Sequence, residues 1–407
     1  MSIATAIQNA QAKVAAAYTS CNAKGATMPA TQDLAHLDDC IDSIPTGGSS
    51  GPVSDDADIL FIDIDGQNLY GYTRAEALLL TELPPLPSRD GLVCEGWNWT
   101  LQEIKDQCNA HMRATIGPMY HTVSGKEEFV YMNYVEFIVK GAAAEINWGD
   151  GSAVQSAAVD ETVTHTTTKN GRVRASISFA DGTGYIQKVG TNINTLDAVY
   201  ILEYYCSGNY KSPVNALDSC ELFGISGLNF ATWSSGNLTL RHLGVRALII
   251  PHWVTGASVP FAQNENYVRK VSQPGNMNVR QFPYMNRFLS RFDIPVNTGD
   301  NYVGEMLYRT RALSLIDIPA TFTSGIGSTT FASSPESNSP KIFVFRRTTP
   351  YNIGSTTFNA HARIFVPYSA DHSVLNAYKG ATNWVNYASQ IYELTADGDI
   401  PATLPTT

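Results

Sequence analysis

The spacing of apolar residues changes along this chain, and each change marks a different kind of element. In the first 44 residues Ile3, Ile7, Ala10, Val14 and Ala17 recur at helical spacing. That predicts an amphipathic helix whose apolar face needs a partner. Gly25 and Pro29 interrupt it, and Leu34, Leu37 and Ile41 share one side of a second short helix over residues 33–41. The run PTGGSSGP at 45–52 is a linker by composition. A compact mixed unit is expected over residues 56–122. It opens with the strand ILFIDI at 59–64, and two capping boxes, Thr73 with Glu76 and Thr100 with Glu103, start helices. From 126 to 182 the pattern shortens into strands separated by turn residues, as in a small β-sandwich.

Beyond residue 183 a short apolar run returns every twenty-odd residues: VYIL at 199, LFGI at 222, LIIP at 248, FDIP at 292, LIDIP at 315, IFVF at 342 and IFVP at 364. A weaker copy, RKVSQP, stands at 269–274, and the hexapeptide IGSTTF occurs at both 326–331 and 353–358. One strand-turn unit cannot bury its own apolar face, so a period of this length predicts stacked repeats. The expected class is therefore multidomain and mainly β. It comprises a helical docking segment (1–44), a linker (45–55), a small α/β module (56–122), an immunoglobulin-like sandwich (126–182), a solenoid (183–394) and a polar tail (395–407).

Composition narrows the function. Charged residues make up 16% of the 407 and the formal net charge is −10 with no basic block, which speaks against nucleic acid as a partner. No apolar stretch is long enough to insert in a membrane, and the N-terminal residues do not read as a secretory signal. Six cysteines (Cys21, Cys40, Cys94, Cys108, Cys206, Cys220) include no CxxC pair and are expected to be reduced.

Three resemblances cover most of the chain. INWGDGS at 146–152, followed by Thr164, His165 and RVRASI at 172–177, resembles the polycystic-kidney-disease (PKD) type of immunoglobulin-like sandwich. The turn is one residue shorter than usual, and Thr166 replaces the usual Tyr. KIFV at 341–344, ARIFVP at 362–367, VLNAYKGATNW at 374–384 and YASQI at 387–391 look like the closing unit of bacterial surface-type leucine-rich repeats. The resemblance implies a helix that caps the last repeat, with Tyr378, Trp384 and Tyr387 over its apolar end. Residues 1–122 are similar to a module of tailed-phage virion proteins from gut bacteria, through AIQNAQAKVAAAY at 6–18, GATMPATQDL at 25–34 and GWNWTL at 96–101. Together these imply a virion protein, folded in the host cytoplasm, with other virion proteins and a host surface glycan or protein as partners. They also imply a homo-oligomer, with a trimer one form. The alternatives are a capsid decoration or head-fibre protein and a bacterial surface adhesin.

Candidate chemistry is sparse. FIDIDG at 61–66 invites comparison with the haloacid-dehalogenase phosphatases, but Gln67 replaces the usual Thr or Val and no parallel α/β array follows. Strand-to-turn acids are the simpler reading. Asp150-Gly-Ser and Asp181-Gly-Thr offer one acid per loop, thin for Ca²⁺. No HExxH or Walker loop occurs, and no catalytic residue, metal ligand or cofactor is expected. Aromatics are the stronger signal, with 20 Tyr, 16 Phe and 6 Trp. Tyr204, Tyr205, Tyr210, Trp233, Trp253, Tyr284, Tyr302 and Tyr308 lie in or near repeat loops and are the expected ligand-binding group. Ile3, Ile7, Val14, Leu34 and Leu37 are the expected virion-docking residues.

Overall fold

The computed structural model describes residues 13–15, 17–19, 29, 31–33, 36–37, 53–181, 184–187, 201–205, 225–226, 247–249, 268–273, 288–296, 312–322, 326, 341–358 and 360–403. Strand accounts for 34% and helix for 16%, in several sheets of which none is closed among the described residues, so the chain is mainly β.

Residues 53–122 hold five strands and two helices: β1 (Ile59–Ile62), β2 (Asn68–Tyr72), α1 (Arg74–Leu79), β3 (Leu92–Trp97), α2 (Leu101–Asn109), β4 (Ala114–Ile116) and β5 (Pro118–Thr122). β1 is central, antiparallel to β2 and parallel to β4, and all four of its residues are buried. That explains its unbroken apolar run. Both capping boxes form: Glu76 N–H donates to the Thr73 hydroxyl and Thr73 N–H to the Glu76 carboxylate, with the same exchange between Thr100 and Glu103. Phe61 meets Trp97 edge-on at 4.9 Å, and Trp97 Nε1 donates to the Pro84 carbonyl, pinning the extended proline segment.

Two sheets then face one core. β6 (Glu127–Tyr131), β7 (Tyr134–Lys140), β8 (Ala144–Asn147), β9 (Gln155–Ala157), β10 (Thr162–Thr166), β11 (Val173–Phe179) and β12 (Tyr185–Gln187) divide into the orders β10-β7-β12 and β6-β11-β8-β9. Burial alternates along β7, as period-2 side chains require. The second sheet continues into the repeat region: β13 (Ile201–Tyr205) pairs antiparallel with β6 and parallel with β14 (Ile225–Ser226).

The apolar runs that follow pair in parallel and in register. β15 (Ala247–Ile249), β16 (Lys270–Ser272) and β17 (Arg291–Phe292) form one ladder, and β18 (Leu315–Ile318), β19 (Ile342–Phe345), β20 (Arg363–Val366) and β21 (Ile391–Glu393) another. Ile316, Phe343, Ile364 and Ile391 occupy one column. The repeated hexapeptide pairs with itself, Ile326 bridging Ile353. At the end, α3 (Ser373–Gly380) and a 3-10 helix (Trp384–Gln390) close the last repeat. Tyr378, Trp384 and Tyr387 are buried, with Trp384 5.2 Å from Phe345 and Tyr387 5.1 Å from Phe358. Their polar tips are satisfied by carbonyls of the preceding repeat: Trp384 Nε1 donates to Tyr351 (2.7 Å), Tyr387 to Ser355 and Tyr378 to Arg347. One continuous apolar core runs from Phe129 to Ile391.

Residues 53–122 dock on the flank of the ladder through polar contacts. Ala247, Lys270 and Arg291 share a column, and the two cations turn towards this module. Arg291 is almost fully buried. Its Nε donates to Thr115 Oγ1 (2.8 Å) and Asp293 Oδ2 (2.7 Å), Nη1 to the carbonyls of Asp55 and Ala57, and Nη2 to those of Asp58 and Ala114. Lys270 reaches Asp55, Asn68 and the Gly66 carbonyl. Gln107 of α2 joins the same seam, donating to the Ile294 carbonyl and accepting from Val296 N–H.

Candidate functional site

The seam leaves a cleft where the C-terminal ends of the parallel strands meet α2. Its volume is about 390 Å³. The loop Ala110–Met112 forms one wall, Val296, Pro319–Thr321 and Pro367–Tyr368 at the strand ends another, and Leu394–Gly398 the third. Three features hold these walls in place. Arg346 makes a paired contact with Asp317 (2.9 and 2.6 Å) and also donates to the carbonyls of His111 (2.8 Å) and Gly398. One guanidinium therefore ties the ladder, the module and the C-terminal segment. Arg74 at the start of α1 contacts Asp58 and Asp399, and Asp399 N–H donates to Thr395 Oγ1. His111 sits at φ 58°, and Gly398 is at φ 77°, a conformation that favours glycine, with a side-chain carbon there lying 3.2 Å from the His111 ring. Burial pushes the Asp317 carboxyl up, against the pull of Arg346.

The groups facing this space differ in how far they are committed. Thr321 donates to the Val296 carbonyl and Arg346 is taken up by Asp317. Tyr368 is 47% exposed. Among the described residues its hydroxyl, the Asp397 carboxylate and the His111 ring nitrogens have no hydrogen-bond or ion-pair partner. An apolar cleft with a few uncommitted polar groups is the usual form of a small-ligand site. Neither Tyr368 nor Asp397 stands out in the sequence. The only signal is the break from the apolar run at Pro367 to an aromatic at the next position.

The residues expected from sequence to bind ligand cannot be placed around this cleft. Tyr204 and Tyr205 lie on β13, where the backbone alone is described. Tyr210, Trp233, Trp253, Tyr284, Tyr302 and Tyr308 lie outside the described residues. Of the docking set, Ile3, Ile7 and Leu34 also lie outside them, while Val14 and Leu37 are helical and half-buried.

The acids weighed for chemistry are engaged elsewhere. Arg89 Nε donates to Asp63 (2.9 Å) and Nη2 to Asp65 (2.7 Å), and Asp63 also accepts from Ile64 N–H and the Tyr120 hydroxyl. Both carboxylates hold the turn after β1. Asp150 accepts from Ser152 N–H and lies 2.8 Å from His165 Nε2, and these bonds hold its carboxyl well below the usual carboxylate range. His165 in turn stacks on Trp148 at 4.2 Å with the planes 5° apart. Gly149 between them is at φ 72°, where any side-chain carbon would lie 1.8 Å from the Arg174 carbonyl oxygen. The WGDG turn and the later histidine are thus one structural lock. Among the described residues no three His, Cys, Asp or Glu side chains gather as a metal site would need. Cys94 and Cys108 are free thiols, both raised by burial.

No protein-family model, curated protein or solved structure matches this chain.

Proposed function

We propose that the chain is a virion protein of a tailed phage, displayed on the particle, which binds a host surface glycan or protein through its repeat half. On this reading the C-terminal ladder is a leucine-rich-repeat-type solenoid and residues 126–182 a PKD-like sandwich. The N-terminal amphipathic segment attaches the protein to the particle. The observation that supports it best is the in-register parallel ladder, closed by an aromatic cap and seamed to two neighbouring units. Such a body is a rigid platform, and rigid platforms lose little entropy on binding. Many copies on one particle would add avidity to weak single contacts.

Immunogold electron microscopy with an antibody to residues 200–394 tests the placement. Label at the tail end supports host recognition. Label over the capsid moves the protein to decoration or head-fibre duty. No label on purified particles removes the virion reading and restores the adhesin. Deleting residues 1–52 tests the attachment role: incorporation is expected to fail while the isolated protein still binds cells.

A further inference from the structure

We propose that the cleft between α2, the strand ends and the C-terminal segment binds one neutral pyranose ring of a glycan, laid on Tyr368 and held through its hydroxyls by Asp397. This rests on the reading of the chain as a binding protein and gives that reading a site. The volume, about 390 Å³, is that of a small-ligand site and suits one or two sugar rings. The floor is apolar, from Met112, Val296, Pro319, Pro367 and Leu394. A pyranose has one face of C–H groups and an equator of hydroxyls, so it needs an apolar surface beside acceptors and donors. Tyr368 supplies the surface: it is 47% exposed and has no ring partner among the described residues. Covering such a ring is favourable in proportion to the area removed from water.

The polar groups select the chemistry further. Asp397 is acceptor-only with two oxygens, which matches two adjacent hydroxyls. Among the described residues nothing else competes for it. Among the described residues Arg346 is the one Lys or Arg on the wall, and its charge is met by Asp317. The open charge in the cleft is therefore a carboxylate, which repels acidic sugars and phosphates and admits neutral ones. His111 adds a ring that can donate or accept, fixed in place by Arg346 on its carbonyl and Gly398 under its imidazole. These positions are held before any ligand arrives, which limits the ordering cost.

Saturation-transfer NMR on the full chain tests the proposal. The probes are the methyl glycosides of glucose, galactose, mannose and N-acetylglucosamine, with glucuronic acid and N-acetylneuraminic acid beside them. Transfer to at least one neutral sugar and to neither acid is expected. Tyr368→Ala is expected to weaken it by about tenfold or more, Tyr368→Phe to retain it, and Asp397→Asn to weaken it. An unchanged thermal melt shows that each variant folds. No transfer to any neutral sugar, a preference for the acids, or full binding by Tyr368→Ala overturns the proposal. Particle adsorption separates it from the wider reading. Sugar binding lost in Tyr368→Ala with adsorption unchanged leaves the site intact and counts against glycan recognition of the host. Adsorption blocked by the purified chain, with no sugar bound, sinks the site and keeps host recognition.

Discussion

Replacing Arg291 with Ala should weaken the seam between residues 53–122 and the ladder at a cost of about 4 kcal/mol. The guanidinium is nearly inaccessible and donates to Thr115, Asp293 and four backbone carbonyls of the 53–122 module. Alanine removes all of these at once. The four carbonyls lose a charged donor, and bonds to charged groups are worth roughly 1.5–3 kcal/mol each when considered alone. They are not additive, and some carbonyls would gain water. Asp293 is left 8% exposed, with the Thr115 hydroxyl donating to it and, among the described residues, Arg113 at 3.9 Å as its remaining cation. Breaking one side of a buried pair costs roughly 3–5 kcal/mol, much of it from the stranded charge. The assay is equilibrium urea unfolding followed by tryptophan fluorescence, since Trp97 and Trp99 report on the module. Limited proteolysis of residues 53–122 gives the local readout. Arg291→Lys should recover a small part, because an ammonium has three donors and cannot span this fan of acceptors. The double change Arg291→Met with Asp293→Leu should recover more, because no buried carboxylate is left without its guanidinium. A loss below about 1 kcal/mol for Arg291→Ala, or no recovery in the double variant, refutes the reasoning.

Lys341 is buried, and desolvation lowers its ammonium to a pKa of about 8 from 10.5. The neutral form is favoured in the folded state, so stability should rise as pH climbs from about 8 to about 10.5. Lys341→Met should be more stable at pH 7 by about 1–3 kcal/mol and lose that rise, as chemical denaturation across pH will read. Asp150 behaves oppositely: its carboxyl is depressed, so its contribution is present above the unfolded carboxylate range and is lost as pH falls through the folded value. Asp150→Asn should be less stable at neutral pH and flatter in acid, and an unchanged acid profile would contradict the lock with His165. Trp384→Ala should cost about 3–5 kcal/mol by opening the aromatic cap, seen as a lower melting temperature with early cleavage after residue 367.

Much of the fold is legible in the sequence because its signals are periodic. The runs at 315, 342 and 364 pair as their spacing predicts, and the two IGSTTF copies meet at Ile326 and Ile353. Both capping boxes form because a hydroxyl and a carboxylate three residues apart answer a purely local need. The seam is less visible. Lys270 and Arg291 read as polar interruptions of an apolar pattern, yet they are buried, because a partner rich in carbonyls and acids covers them. Two cations at successive equivalent positions, beside the acidic stretch at 55–58, were the available hint. The cleft was not legible at all. It is assembled from residues as far apart as His111 and Asp397, joined by contacts that no local pattern encodes.

The sheet shared by β6 and β13 has a mechanical consequence. Backbone hydrogen bonds, not a tether, join residues 127–131 to the first strand of the repeat half. Torque applied to one body is carried into the other by a row of bonds loaded together, and none can open without its neighbours. The two cannot swivel independently, so whatever fixes the direction of one fixes the direction of the other.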